Sequence, residues 1–324
     1  MSARLGSRRA LVTGGAGFIG GHLVAGLVAE GWRVRVLDDF SSGFESNLED
    51  VEDVVALLRG DVRDDAMLAR AMAGVEVVFH QAAVASAALS VAEPLRTNSV
   101  NLDGTLRVLE AARRAGVRRV VYASSSSTYG NSRELPKVES MTAEPLSPYA
   151  LQKLVGECYC RLYSSLYQLE TVALRYFNVF GPRQDPRGEY AAVIPRFVCA
   201  ALAGKGATIF GDGEQTRDFI FVQDAVRANL LAADAERASG AVINIAAGRR
   251  IGLNDLWRAI REITGVTAPP RHAPAREGEV RDSVADLTRA RELLGFEPTT
   301  SLREGLRRTV ESFSQKASKG GLGP

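Results

Sequence analysis

Little in the sequence invites a covalent staple, a metal ion or a membrane. Three cysteines stand in 324 residues, at Cys158, Cys160 and Cys199. Their number is odd and none belongs to a C-x-x-C pair, so neither a disulfide framework nor a zinc motif is supported. Buried or inert thiols in a reducing compartment are the expectation. The histidines His22, His80 and His272 show no metal-ligand spacing, and no metal is expected. No apolar run approaches membrane-spanning length. Residues 1–9 are polar, and glycines interrupt the apolar run that follows, so no secretory leader is expected and the cytoplasm is the expected location. A large excess of either charge is also missing. The net charge is +2, and the basic pairs Arg8-Arg9, Arg113-Arg114 and Arg118-Arg119 are short and scattered, which argues against a nucleic-acid partner.

What is present is an ordinary globular balance, 46% apolar and 24% charged residues. In the first half, short runs rich in Val and Leu alternate with longer helical patterns. Residues 10–13, 33–37, 54–58, 75–80, 119–124 and 172–175 read as buried strands. Residues 18–30, 94–115 and 148–166 read as helices. Strand and helix repeated in this way predict a Rossmann-type, doubly wound α/β fold with a parallel sheet. Beyond residue 177 the pattern loosens. Residues 181–190 and 211–217 read as loops, 242–245 as a strand returning to the main sheet, and 253–263 and 302–312 as helices. No internal repeat is visible, and the glycine-rich tail 318–324 is expected to fray. The expected division is a dinucleotide-binding domain over 1–178 with a return segment near 218–246. A smaller α/β substrate lobe is expected from 179–217 and 247–324.

The run Leu11-Val12-Thr13-Gly14-Gly15-Ala16-Gly17-Phe18-Ile19-Gly20 follows the first strand and opens a helix, the context that gives a glycine triplet meaning. Gly14 would turn the chain, Gly17 would let backbone N–H groups reach a pyrophosphate, and Gly20 would let helix and strand pack closely. The helix N-terminus then faces the phosphate charge. Asp38 and Asp39 end the second strand about twenty residues on, where a carboxylate accepts from ribose hydroxyls and repels a 2′-phosphate, so NAD is expected rather than NADP. A strand-end turn is the plainer role for Asp38. Asp61 would either meet the adenine edge or cap the helix that follows.

Tyr149 and Lys153 are four residues apart on a predicted helix and share a face. A nearby ammonium favours the phenolate, and a phenolate near neutral pH would take a proton from an alcohol while hydride leaves its carbon. The run from Ser124 to Gly130 ends the fifth strand and would offer hydroxyls to a reacting sugar oxygen.

These motifs, together with Arg175-Tyr176-Phe177-Asn178 and Thr216-Arg217-Asp218-Phe219, resemble the extended short-chain dehydrogenase/reductase family, and within it the UDP-hexose 4-epimerases. The resemblance covers roughly residues 8–312. It implies Tyr149 as base and acid, Lys153 on the nicotinamide ribose, and Ser125 at the sugar 4-hydroxyl, with Ser126 one residue away. It places Phe18, Ile19, Val62, His80, Gln81, Ala82, Ala83, Asn98 and Tyr176 along the cofactor channel. It places Asn178, Ala192, Val193, Arg217, Arg276 and Glu279 around the nucleotide diphosphate, where guanidinium forks suit phosphate oxygens. On composition alone each arginine reads as a surface residue. The implied reaction passes hydride from sugar C4 to NAD and back on the other face of a 4-keto intermediate.

The same resemblance extends to nucleotide-sugar 4,6-dehydratases and UDP-glucuronate decarboxylases. They commonly carry acid residues in the segment that here reads Ser126-Ser127-Thr128. The missing carboxylate favours epimerisation, with a UDP-glucuronate 4-epimerase as a near alternative and a non-catalytic NAD-binding sensor as a remote one. Ser283 aligns with a bulky tyrosine of some galactose epimerases, and its small size predicts UDP-GlcNAc and UDP-GalNAc as substrates, with UDP-Glc and UDP-Gal in addition. By the same likeness a homodimer is expected through helices at 100–115 and 148–166, where Val155, Tyr159, Leu162 and Leu166 exceed what one buried face needs.

Overall fold

The computed structural model describes residues 7–187, 191–275 and 280–318. Six strands alternate with helices through the first half: β1 (Arg9–Thr13), β2 (Arg33–Asp38), β3 (Ala56–Arg59), β4 (Val77–His80), β5 (Arg119–Ser125) and β6 (Glu170–Tyr176). Later come β7 (Asn178–Phe180), β8 (Thr208–Phe210), β9 (Thr216–Phe221), β10 (Ala241–Ile245), β11 (Arg250–Gly252) and β12 (Arg271–Ala273). A seven-stranded parallel sheet runs β10-β6-β5-β4-β1-β2-β3. The strand order reverses between β1 and β4, and the crevice at that reversal is where such sheets bind ligands.

Alternation along the strands explains why both faces are covered. In β1, Ala10 and Val12 point into one apolar layer and Leu11 into the other. Helices α1 (Phe18–Ala29), α8 (Val222–Asp234) and α10 (Thr288–Leu294) supply Leu23, Ala228 and Leu294 to the first layer. Helices α2 (Asp65–Met72), α5 (Gly104–Arg114) and α6 (Pro148–Tyr167) supply Leu68, Val108 and Tyr163 to the second. A third cluster builds the small lobe. Phe197 of α7 (Val193–Leu202) packs edge-on to Trp257 of α9 (Leu253–Thr264), beside Phe221 of β9 and Phe313 of α11 (Leu302–Ser318).

The strand expectations hold to within two residues at each end, and the segment near 242–245 does return to the main sheet, pairing with β6. Two expectations fail. The helix expected over 94–115 is broken into α4 (Pro94–Asn98), a π-helical turn over Ser99–Asp103, and α5; a further short helix, α3 (Ala87–Ala92), precedes it. A π turn adds a residue to the helical ladder and commonly marks a functional surface. The loop expected over 211–217 ends early, because Thr216 and Arg217 already belong to β9, which pairs with β7 and β11. Among the described residues no helix is long and apolar enough to cross a membrane.

Candidate active site

The glycine-rich turn is dictated by space. Gly14 has φ +68°, and a Cβ there would lie 2.6 Å from the Ala82 nitrogen. A Cβ on Gly20 would lie 2.0 Å from the Gly14 carbonyl oxygen. Only glycine lets α1 close onto the turn, which leaves a backbone cradle at the helix N-terminus suited to a pyrophosphate. At the end of β2, Asp38 is buried. Its carboxylate accepts from the N–H of Ala16 and of Phe40, each at 2.8 Å. Burial raises its pKa, and those two backbone donors oppose the rise. Asp38 thus ties the strand end to the glycine turn while still facing the cleft. Its turn role and its cleft role coexist.

One cleft of about 300 Å³ is lined by Gly14, Gly17, Phe18, Ile19, Gly20, Asp38, Asp39, Asp61, Val62, Gln81, Ala82, Ala83, Tyr149, Lys153 and Tyr176. Every expected cofactor residue except Asn98 and His80 is there. Asn98 ends α4, ahead of the π turn; within that turn Val100 lines the cleft and Asn101 is buried. Asn101 accepts from the Val84 N–H at 2.7 Å and donates to Gln152 Oε1 at 2.8 Å. Asn101 braces the cleft from behind, and no periodic reading of an unbroken helix would have picked it. Asp61 lines the cleft but does not cap α2; Asp64 does, accepting from Ala66 and Met67. Sequence reading missed Ser41, Ser42, Gly43, Val84 and Ala85, which also line the cleft.

His80, by contrast, lies under the cleft. Thr105 Oγ1 donates to the Asn101 carbonyl at 2.6 Å, so its oxygen accepts from His80 Nε2 at 2.9 Å. That leaves Nδ1 to accept from the Thr13 hydroxyl at 2.7 Å. Burial, with Lys153 nearby, pushes the imidazole pKa down to about 3. The ring is a neutral connector between β1 and α5. Tyr176 is also neutral, its phenol pushed up to about 12 by burial, and its oxygen accepts from Gln81 and Asn229.

Tyr149 and Lys153 open α6, whose start is set by Ser147, the N-cap, and Pro148. The Tyr149 N–H is held by the Ser90 hydroxyl at 2.9 Å. Lys153 Nζ donates to the Ala123 carbonyl at 2.7 Å and stands 5.9 Å from the centre of the Tyr149 ring. Burial raises the Tyr149 pKa, opposed by a hydrogen bond with Ser125. The expected acidic phenol is therefore not a property of the two side chains alone. Burial of the ring outweighs an ammonium that is not in contact with its oxygen. Ser125 also accepts from the Ser127 hydroxyl at 2.9 Å, and Ser126, half-buried, starts a 3₁₀ turn; neither Ser125 nor Ser126 is part of the cleft lining, which Ser124 reaches instead.

A second pocket of about 290 Å³ in the small lobe is lined by Asn178, Ala192, Val193 and Arg217, with Arg196, Phe210 and Gln215 beside them. Arg217 donates to the carbonyls of Thr216 and Arg281. Asn178 donates to the Asp218 carbonyl at 2.9 Å. Asp218, fully buried, accepts from the N–H groups of Ala247, Gly248 and Ala285, and burial lifts its pKa to about 6. Ser283 is nearly buried, its N–H donating to Thr216, and it lines neither of these two pockets. Arg276 and Glu279 lie outside the described residues. Among the described residues no cluster of three or more His, Cys, Asp or Glu side chains is arranged to hold a metal.

Comparison with known proteins fits this geometry. The UDP-glucose 4-epimerase of Mycolicibacterium smegmatis is 44% identical over 313 residues, covering 95% of this chain and 99% of that one. The UDP-N-acetyl-alpha-D-glucosaminuronate decarboxylase of Bacillus cytotoxicus is 33% identical over 319 residues, covering 95% and 98%. The solved UDP-N-acetylglucosamine 4-epimerase of Methanobrevibacter ruminantium, in complex with UDP-N-acetylmuramic acid, superposes with a TM-score of 0.92 at 39% identity, covering 95% and 99%. The profile of the NAD dependent epimerase/dehydratase family matches residues 10–246, and the chain belongs to that family.

Proposed function

We propose that the protein is an NAD-dependent UDP-sugar 4-epimerase acting on UDP-GlcNAc and UDP-GalNAc, and on UDP-Glc and UDP-Gal in addition. The observation that carries the reading is that Tyr149 and Lys153 share one cleft with the glycine turn and Asp38. The glycine cradle, Asp38 and Lys153 would hold the dinucleotide, which when bound takes up and returns a hydride. Tyr149 exchanges a proton with the sugar 4-hydroxyl. Ser125 hydrogen-bonds the phenol and orients that exchange. Lys153, anchored on the Ala123 carbonyl, supplies positive charge on the same helix face. Asn178, Val193 and Arg217 face the pocket that suits the nucleotide diphosphate, and Ala191 and Ala192 line it with small side chains.

The likeness to a decarboxylase keeps a second reading in view. The 3₁₀ turn that follows β5 is Ser126-Ser127-Thr128, which offers hydroxyls and no carboxylate, and this favours epimerisation. A homodimer accompanies the proposal, because Leu151, Leu162 and Leu166 are each about half exposed or more on α6. The three unpaired cysteines suit a cytoplasmic setting. Incubation with UDP-GlcNAc, UDP-Glc and UDP-GlcA in separate reactions, read by proton NMR, tests the assignment. The C4 epimer of UDP-GlcNAc is the expected product. A pentose or a 4-keto-6-deoxy product would replace the proposal.

A further inference from the structure

Behind the proton pair lies a buried carboxylate that the chemistry above leaves unused. Glu157 stands four residues beyond Lys153 on α6, on the same face, and is 1% exposed. Its Oε1 accepts from the Ser124 hydroxyl and from Arg175 Nε at 2.8 Å, and its Oε2 accepts from the other fork of Arg175 at 2.7 Å. Arg175 is itself buried and lies 4.7 Å from the centre of the Tyr129 ring. An ion pair this deep holds a fold together no better than apolar side chains of the same size, so cohesion alone does not account for it.

We propose that Glu157 is a positioning residue for proton transfer: it pins Ser124 at the end of β5, one residue before Ser125, and keeps Lys153 in its ammonium form. The proposal rests on Tyr149 and Lys153 being the proton pair. Apart from Glu157, the groups set near Lys153 on its own helix and on the adjoining strands carry no compensating charge. On β4, His80 is neutral. On β5, the Tyr122 ring is 5.0 Å from Nζ and its phenol is pushed well up by burial, while the Ala123 carbonyl accepts the hydrogen bond. On α6, Tyr149 is raised, and burial pushes the Cys160 thiol far up, so it is uncharged. On β6, Arg175 is spoken for by Glu157. Burial pulls Lys153 down to about 8, with Cys160 and Glu157 opposing, and of those two only Glu157 is an anion. A phenolate beside an ammonium holds the same number of protons as a phenol beside an amine. Glu157 favours the first arrangement, the one competent as a base.

The test is kcat against pH for the holoenzyme and for Glu157→Gln, Glu157→Gln/Arg175→Gln and Tyr149→Phe. The double variant buries no lone charge and decides the matter where the single one does not fold. The glutamine variants are expected to move the alkaline limb of kcat down by about one pH unit, roughly a fivefold loss at pH 8 that approaches tenfold at higher pH, with KM and bound NAD unchanged. A structural brace alone would not move a pH limb. If a folded glutamine variant keeps the wild-type limb while Tyr149→Phe is inactive, the role given to Glu157 is wrong. If Tyr149→Phe retains turnover, the proton-pair reading beneath it is wrong instead.

Discussion

Lys153 Nζ is bonded to the Ala123 carbonyl at 2.7 Å, yet it stands 5.9 Å from the centre of the Tyr149 ring. The ammonium is therefore fixed by the strand, and the phenol feels it through space. Tyr149→Phe removes the exchangeable proton and leaves this anchor untouched. Turnover is expected to fall about a thousandfold, while the melting temperature and bound NAD stay the same. Retained turnover would point to a binding module or to another acid and base.

Asp38 serves two backbone donors as well as the cleft. Asp38→Asn leaves one acceptor oxygen and turns an amide N–H₂ toward a donor. A stability loss of about 1–2 kcal/mol is expected from the disturbed strand end. NAD affinity should drop about tenfold and the bias against NADP should shrink, since a carboxylate no longer faces the ribose. Titration of both dinucleotides by fluorescence checks this. An unchanged NAD-to-NADP ratio would remove Asp38 from the cofactor contacts.

The buried imidazole of His80 gives the fold a pH dependence with a definite sign. Its folded pKa is about 3 against the ordinary 6.5, so below pH 6.5 the unfolded chain binds a proton that the folded chain refuses. This stability is present above pH 6.5 and is lost as pH falls toward 3, at up to about 1.4 kcal/mol per unit. Urea melts at pH 7, 6 and 5 should show a shallower decline for His80→Gln than for the wild type. Parallel declines would mean that the ring is not held neutral.

Ser283→Tyr tests the size limit that the family resemblance implies at residue 283, which lines neither pocket described above. A bulky ring there should abolish turnover of the N-acetylated sugars and spare UDP-galactose. Equal damage to both would show that residue 283 does not set the size limit.

Leu151, Val155, Leu162 and Leu166 form a stripe along α6, and three of the four are exposed. Sedimentation should give twice the 34.8 kDa chain mass, and Leu162→Asp/Leu166→Asp should give one chain with its fold retained. A wild-type mass of one chain would refute the pairing.

The sheet was legible because its strands are short, apolar on both faces and bounded by Gly, Asp or Ser, as at Val12 and Val121. The glycine turn was legible because Gly14 and Gly20 meet steric demands that no other residue fits. Asn98 was carried over by resemblance alone, and the role of Asn101 depends on a π turn that the helical pattern over 94–115 does not announce. The small lobe was harder to read because β7, β8, β11 and β12 have three residues each, too few to show a period. The raised Tyr149 pKa was illegible for another reason. Burial is set by the tertiary packing of α6, with Ser90 of α3 on the Tyr149 N–H and Ser125 of β5 on its phenol, and the spacing of Tyr149 and Lys153 carries no trace of it.

The late return of β10 to the edge beside β6 has a consequence for biosynthesis. While the nascent chain is still short of Ile245, β6 shows a bare row of N–H and C=O groups to the surrounding solution. An exposed edge of that kind recruits strands from other molecules. Ribosome stalling or truncation between β6 and β10 should therefore yield insoluble fragments, even though the glycine turn and the tyrosine helix have both been made by then.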